Sequence, residues 1–227
     1  MQYVIAYNRP WCEKLPERLE KKMGKSFIPI DNKNDLNQNY LNKINPEFIF
    51  FPHWSYLIPG EIYKKFKSVI FHMTDLPYGR GGSPLQNLIV RGHNETMISA
   101  IKCGKNIDSG PVYLKKPLSL LGSAEEIFIR ANKVIENMII EILETNPEPI
   151  DQQGEIVKFQ RRVPEEGDWS NVGSLDEVFN YIRMLDAEDY PPAFIRIGKY
   201  KLEFSRASLK VKTIHASVKI IEEGKNE

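Results

Sequence analysis

Four short apolar runs recur in the first third of the chain: Tyr3-Val4-Ile5-Ala6, Ser26-Phe27-Ile28-Pro29-Ile30, Phe48-Ile49-Phe50-Phe51 and Ser68-Val69-Ile70-Phe71-His72. They do not alternate apolar with polar, as a strand with one wet face does. Near-continuous apolar character is the mark of strands covered on both faces. The intervening stretches predict helices over 13–23, 35–44 and 59–66. Strand and helix in alternation predict a parallel sheet with right-handed crossovers. The expected class is therefore α/β, a Rossmann-like, mostly parallel sheet.

A turn-rich stretch follows over 76–84, with Pro77, Gly79, Gly81, Gly82 and Pro84. A helix is expected over 85–91, a strand over 96–102, a polar loop over 105–110 and a strand over 111–114. Ser123 and Glu126 form a capping box that opens a long helix, which runs to about Thr145 and is stopped by Pro147. Beyond Asn146-Pro147-Glu148-Pro149 the character changes. A second capping box, Ser174 with Glu177, starts a helix to about Met184. Short antiparallel strands are expected over 194–198, 201–205 and 208–214, and a polar, frayed tail over 222–227. The reading is two domains: 1–150, and a small α+β extension over 151–227.

Composition narrows the classes. Of 227 residues, 41% are hydrophobic and 27% charged, an ordinary globular balance that excludes disordered, collagen-like and disulfide-scaffold chains. Thirty-one basic against 30 acidic residues leave a net charge of +1. No global basic field calls for nucleic acid, although a local patch stays open. Only Cys12 and Cys103 occur, which suggests a reducing, cytoplasmic setting. The N-terminal run soon meets Arg9 and Pro10 and makes a poor signal peptide. The longest apolar stretch, 127–143, is broken by Arg130, Lys133, Glu136 and Glu141, so no membrane partner is expected.

Four histidines could carry chemistry: His53, His72, His93 and His215. His72 ends an apolar strand and precedes a turn, and open α/β sheets bind ligands beyond their strand C-termini. Asp108 lies in a loop just before Ser109-Gly110. Position leaves two readings for each: a site pair, or a satisfied buried histidine and a turn-forming aspartate. His53 also follows a strand, either lining the same cleft or capping the strand end. His93 reads as a solvated turn and His215 as an exposed strand residue. No HExxH or CxxC spacing supports a metal site, and no metal is expected. Gly79-Arg80-Gly81-Gly82 is not a P-loop. No GxGxxG follows the first strand, which argues against a dinucleotide.

With these residues in place the sequence resembles the folate-dependent formyltransferases. That family carries Asn-x-His, then Pro-Ser-Leu-Leu-Pro-x-x-Arg-Gly-x-x-Pro, and later Asp-x-Gly. His72 falls on the family histidine, with Pro77, Arg80, Gly81 and Pro84 in step and Gln86 just after. Ile107-Asp108-Ser109-Gly110-Pro111 falls on the Asp-x-Gly segment at the family's usual interval. The resemblance continues in Gln160-Arg161-Arg162-Val163-Pro164 and in Tyr190-Pro191-Pro192-Ala193-Phe194. It is good from about Phe48 to Ala207 and weak before that. One departure stands out: the family asparagine falls on Ile70, whose side chain donates no hydrogen bond.

The resemblance implies a formyltransferase fold and transfer of a formyl group from N10-formyltetrahydrofolate to an amine. It makes His72 the general base or proton-transfer group and Asp108 its partner. Tyr56, Leu57, Ile58, Ile107 and Asp108 are expected at the cofactor, and Arg9, Thr74, Arg80 and Gly81 at the acceptor substrate. His72, the Thr74 hydroxyl or a backbone N–H would replace the missing oxyanion donor. The family's tRNA enzymes carry a full C-terminal β-barrel, and too few residues follow Ile150 for a linker plus that barrel. The expected acceptor is therefore the amino group of a UDP- or dTDP-linked deoxysugar, in surface polysaccharide or glycan biosynthesis, with no nucleic acid partner. The alternatives are a catalytically weak folate- or partner-binding module, or a formyltransferase acting on an aminoacyl group. Val211, Ile214, Val218 and Ile220 either pair with a second copy in a homodimer or close a small sheet.

Overall fold

In the computed structural model, which describes residues 1–224, the apolar runs form strands. β1 (Gln2–Ala6), α1 (Leu15–Met23), β2 (Ser26–Ile30), α2 (Gln38–Ile44), β3 (Phe48–Phe51), α3 (Gly60–Tyr63) and β4 (Lys67–His72) alternate as expected. There follow β5 (Tyr78–Gly81), α4 (Pro84–Val90), β6 (Glu95–Lys102), β7 (Val112–Ser119), α5 (Ala124–Thr145) and β8 (Val157–Phe159). The described chain ends with α6 (Leu175–Leu185), β9 (Ala193–Ile197), β10 (Tyr200–Lys210) and β11 (Thr213–Glu222).

Six strands make one sheet in the order β2-β1-β3-β4-β6-β7. β1 runs parallel to β2 and β3, and β3 parallel to β4. β6 is antiparallel to β4, with Ile70 opposite Ile101 and His72 opposite Ser99. The sheet is thus mixed, mostly parallel, and α/β. β1 and β3 lie inside it, so both faces of each are covered, and Val4, Ile5, Ile49 and Phe50 are fully buried. One face packs Val4, Ala6, Ile49 and Phe51 with Ile30, Leu41, Ile62 and Phe66. Ile70 extends that cluster toward the strand ends.

The chain divides into two compact units, both discontinuous. The first comprises Met1–Gly81, Thr96–Leu118 and Ile129–Lys158, and holds the large sheet. The second comprises Gly82–Glu95, Ser119–Phe128 and Phe159 onward. A single cut near residue 150 does not describe this division. In the second unit β9, β10 and β11 form an antiparallel sheet, and α6 lies against β10. The Ser174 hydroxyl caps α6 by accepting the Glu177 N–H. Asn87 of α4 gives its amide hydrogens to the carbonyls of Gly82, Ser83 and Gln160.

Several elements differ from expectation. The strand expected over 208–214 spans a turn at 211–212, where Lys212 takes φ +57°, so β10 and β11 are two long strands of one hairpin. β5 lies inside the stretch expected to be all turn, because a two-stranded ribbon with β8 satisfies its backbone. α2 starts at Gln38, since Asn37 caps it by accepting the Tyr40 N–H. The tail is ordered further than expected: Glu222 pairs with Tyr200 and the Glu223 N–H reaches the Lys199 carbonyl. The rest of that expectation, 225–227, lies outside the described residues.

Candidate active site

The site is built where β4 ends. His72 is the last residue of β4, buried and opposite Ser99 of β6. The Ser99 hydroxyl donates to the Thr74 carbonyl at 2.8 Å and accepts the Leu76 N–H at 3.3 Å. That fixes the chain as it leaves the strand. β5 then brings the Gly79 carbonyl to 2.8 Å from His72 Nε2. Gly79 has φ +78° and Gly81 φ +114°, conformations that side chains resist. A carbonyl oxygen only accepts, so Nε2 must carry a proton. The nitrogen left to exchange a proton is Nδ1.

Asp108 supplies what Nδ1 faces. It lies between β6 and β7 with φ +51°, and its Oδ2 is 3.5 Å from His72 Nδ1. The same oxygen accepts the Gly81 N–H at 2.9 Å. Gln152 Nε2 donates to the carbonyls of Asp108 and Gly110, at 2.9 and 2.8 Å. Gly110 is required there, because a Cβ would sit 1.8 Å from the Lys102 carbonyl oxygen. A histidine and a carboxylate far apart in the sequence thus meet at the carboxyl end of a parallel strand, where such sheets place ligands.

The other expected site residues are distributed around this pair. Thr74 is fully buried with its hydroxyl 3.4 Å from the Gly79 carbonyl, a long contact to an acceptor. Arg80 directs its guanidinium at Gln152, and Gly81 gives its N–H to Asp108. Ile107 is 64% exposed beside Asp108. Ile70 is half-buried and packs against the apolar cluster. Tyr56, Leu57 and Ile58 belong to the loop after β3, with Leu57 82% exposed. Asn8, in the loop after β1, accepts the Ser55 N–H and so joins the loop after β3 to its own loop, which also carries Arg9, whose guanidinium lies 5.9 Å from the Trp11 ring centroid. Nearby, His53 takes φ +49°, and burial and the Arg9 charge push its pKa down to about 3. Gly79, Ser99 and Gln152 were not found by sequence reading. Gly79 carried a turn signal, whereas Gln152 carried none. Among the described residues no group of three or more His, Cys, Asp or Glu converges as a metal site would.

Similarity to known proteins agrees with this geometry. A methionyl-tRNA formyltransferase from Clostridium thermocellum superposes with a TM-score of 0.95 and 51% identity, over 98% of this chain and 99% of that one. The chain belongs to the formyltransferase family. Residues 164–221 match the family model of the methionyl-tRNA formyltransferase C-terminal domain. A methionyl-tRNA formyltransferase of Mycoplasma capricolum is 28% identical over 192 residues, covering 79% of this chain and 60% of that protein. The chain spans 60% of that relative's length and 48% of that of a Rickettsia felis relative. A sugar N-formyltransferase from a Shewanella species shares the fold at a TM-score of 0.68 and 12% identity, over 93% of this chain and 99% of that one.

These findings correct the expected acceptor. The expectation of a nucleotide-linked amino sugar with no nucleic acid partner rests on net charge and on the short C-terminal segment. Neither argument holds. At 51% identity the Clostridium thermocellum protein is named a methionyl-tRNA formyltransferase, whereas the sugar enzyme shares only the fold at 12%, and residues 164–221 match the methionyl-tRNA formyltransferase C-terminal model. Net charge is a sum over the surface and says nothing of its distribution. No helix among the described residues is long and apolar enough to cross a membrane.

Proposed function

We propose that this chain transfers a formyl group from N10-formyltetrahydrofolate to the amino group of methionine esterified to tRNA, in the cytoplasm. The observation that carries the reading is the His72–Asp108 pair at the end of β4, in a chain 51% identical along its whole length to a methionyl-tRNA formyltransferase. The loop after β3 suits a flat, amide-bearing ring. Trp54 has a buried indole N–H with no partner among the described residues, and Tyr56 and Leu57 stand exposed beside it.

When bound, the donor supplies a formyl carbon and a nitrogen that must gain a proton to leave. The chain moves protons. His72 exchanges one at Nδ1, because Nε2 is held by the Gly79 carbonyl. Asp108 faces Nδ1, stabilises the imidazolium and orients the ring. The Gly81 N–H keeps the carboxylate in place. Ile70 offers no donor to the oxygen that gathers negative charge, and the Thr74 hydroxyl already faces a carbonyl. The positive charge of the His72 imidazolium, rather than a free N–H, is then what stands at hand to stabilise that oxygen.

The test presents isotopically labelled N10-formyltetrahydrofolate with methionyl-tRNA, uncharged tRNA, and a panel of UDP- and dTDP-amino sugars. Label is expected only on methionyl-tRNA. Label on a sugar, with none on methionyl-tRNA, would overturn the reading.

A further inference from the structure

Asp108 is held in a left-handed conformation, φ +51°, that few non-glycine residues adopt. Its carboxylate accepts the Gly81 N–H, a contact to the side chain and not to the backbone. The backbone is gripped from elsewhere. One amide nitrogen, Gln152 Nε2, reaches both the Asp108 and Gly110 carbonyls and so brackets the turn. At the other end of the amide, Oε1 accepts from Arg80 Nε at 3.0 Å and Nη2 at 2.7 Å.

This arrangement fixes the amide's direction. A guanidinium has no acceptor and a carbonyl has no donor, so oxygen must face Arg80 and nitrogen must face the turn. Reversal would set like against like at every contact. The backbone of Gln152 is tied down as well. Two residues earlier, Ile150 exchanges both backbone hydrogen bonds with Val112, at 2.7 and 2.9 Å, just after the same turn. Arg80 and Gly81, neighbours on β5, thus hold Asp108 from two sides: Gly81 directly on the carboxylate, Arg80 through Gln152 on the carbonyl.

We propose that Gln152 is a positioning residue for Asp108, locked in orientation by Arg80. This role rests on the proposed transfer reaction for its effect on rate. Arg80 is then part of the scaffold that holds Asp108.

The experiment measures methionyl-tRNA formylation by Gln152→Ala and Gln152→Glu, alone and combined with Asp108→Asn, and records the Gly81 amide resonance by NMR. Gln152→Glu keeps size and the Arg80 contact but removes the donor. Misplacement of a reacting group by about 1 Å costs on the order of 10²-fold, so kcat is expected to fall about 10–100-fold in both variants, with KM for the formyl donor nearly unchanged. In the Asp108→Asn background the same changes should have little further effect, because the residue acts only through that carboxylate. The Gly81 amide signal should move in both Gln152 variants, reporting the displaced carboxylate without any turnover. Full loss in the Asp108→Asn background, or wild-type kcat in Gln152→Glu, would overturn the proposal. A wild-type chain that formylates no aminoacyl-tRNA, while the Gly81 signal still responds, would overturn the transfer reading and leave the positioning role standing.

Discussion

His72 Nδ1 lies 3.5 Å from Asp108 Oδ2 while His72 Nε2 rests 2.8 Å from the Gly79 carbonyl oxygen. The ring's two nitrogens thus face two segments well separated in the sequence, Gly79 and Asp108. The carboxylate contact is longer than a settled hydrogen bond.

Asp108→Asn keeps an oxygen for the Gly81 N–H but removes the charge that faces Nδ1. Transfer is expected to fall by about 10²-fold or more, in line with general acid–base contributions. His72→Ala should fall at least as far. Single-turnover formylation checks both, and circular dichroism should show an intact fold. Wild-type turnover in either variant would remove the pair from the mechanism.

Gly110→Ala tests the turn itself. The new methyl would lie 1.8 Å from the Lys102 carbonyl oxygen, so two backbone segments must part. A loss of about 2 kcal/mol or more is expected, typical of enforced overpacking. Gly104→Ala meets nothing within 4 Å and should stay within about 0.5 kcal/mol of wild type. Urea midpoints for the two variants decide this.

Glu136 of α5 is fully buried, yet Arg18, Lys22 and Lys133 all reach it, at 2.6, 2.5 and 3.1 Å. Burial pushes its pKa up, but the hydrogen bonds from Lys22, Arg18 and Lys133 together outweigh that and hold it at about 2. The folded value lies below the ordinary 4.5. The contribution to stability is thus complete above pH 4.5 and disappears as pH falls toward 2. Glu136→Gln should flatten the acid unfolding curve across that window. An unchanged slope would show the carboxylate to be uncoupled from folding.

His53 behaves in the opposite chemical sense with the same pH direction. Burial and the Arg9 charge hold its pKa near 3 against an ordinary 6.5, so the folded ring stays neutral. The unfolded chain takes up a proton first. Stability from this group is complete above pH 6.5 and is lost between 6.5 and 3. The NMR shift of the His53 ring should stay flat down to pH 4. Titration near 6.5 would refute its burial.

The apolar runs were enough to place β1 to β4; in β1 and β3, inside the sheet, both faces are covered and nearly every position is apolar, whereas edge strand β2 exposes Ser26 and Pro29. Both helical capping boxes were legible too, since a hydroxyl and a carboxylate three residues apart are a local signal. The family motif named His72 and Asp108. It did not name Gln152, whose role depends on where residues 80, 108 and 110 converge. Nor did net charge or segment length reveal the acceptor. The sequence by itself determined most strands and helices of the large sheet and, through the family motif, which two residues are the candidates for proton chemistry. Only the tertiary structure decided how the carboxylate is held, because a clamp made from three distant segments has no spacing along the chain by which it could be read.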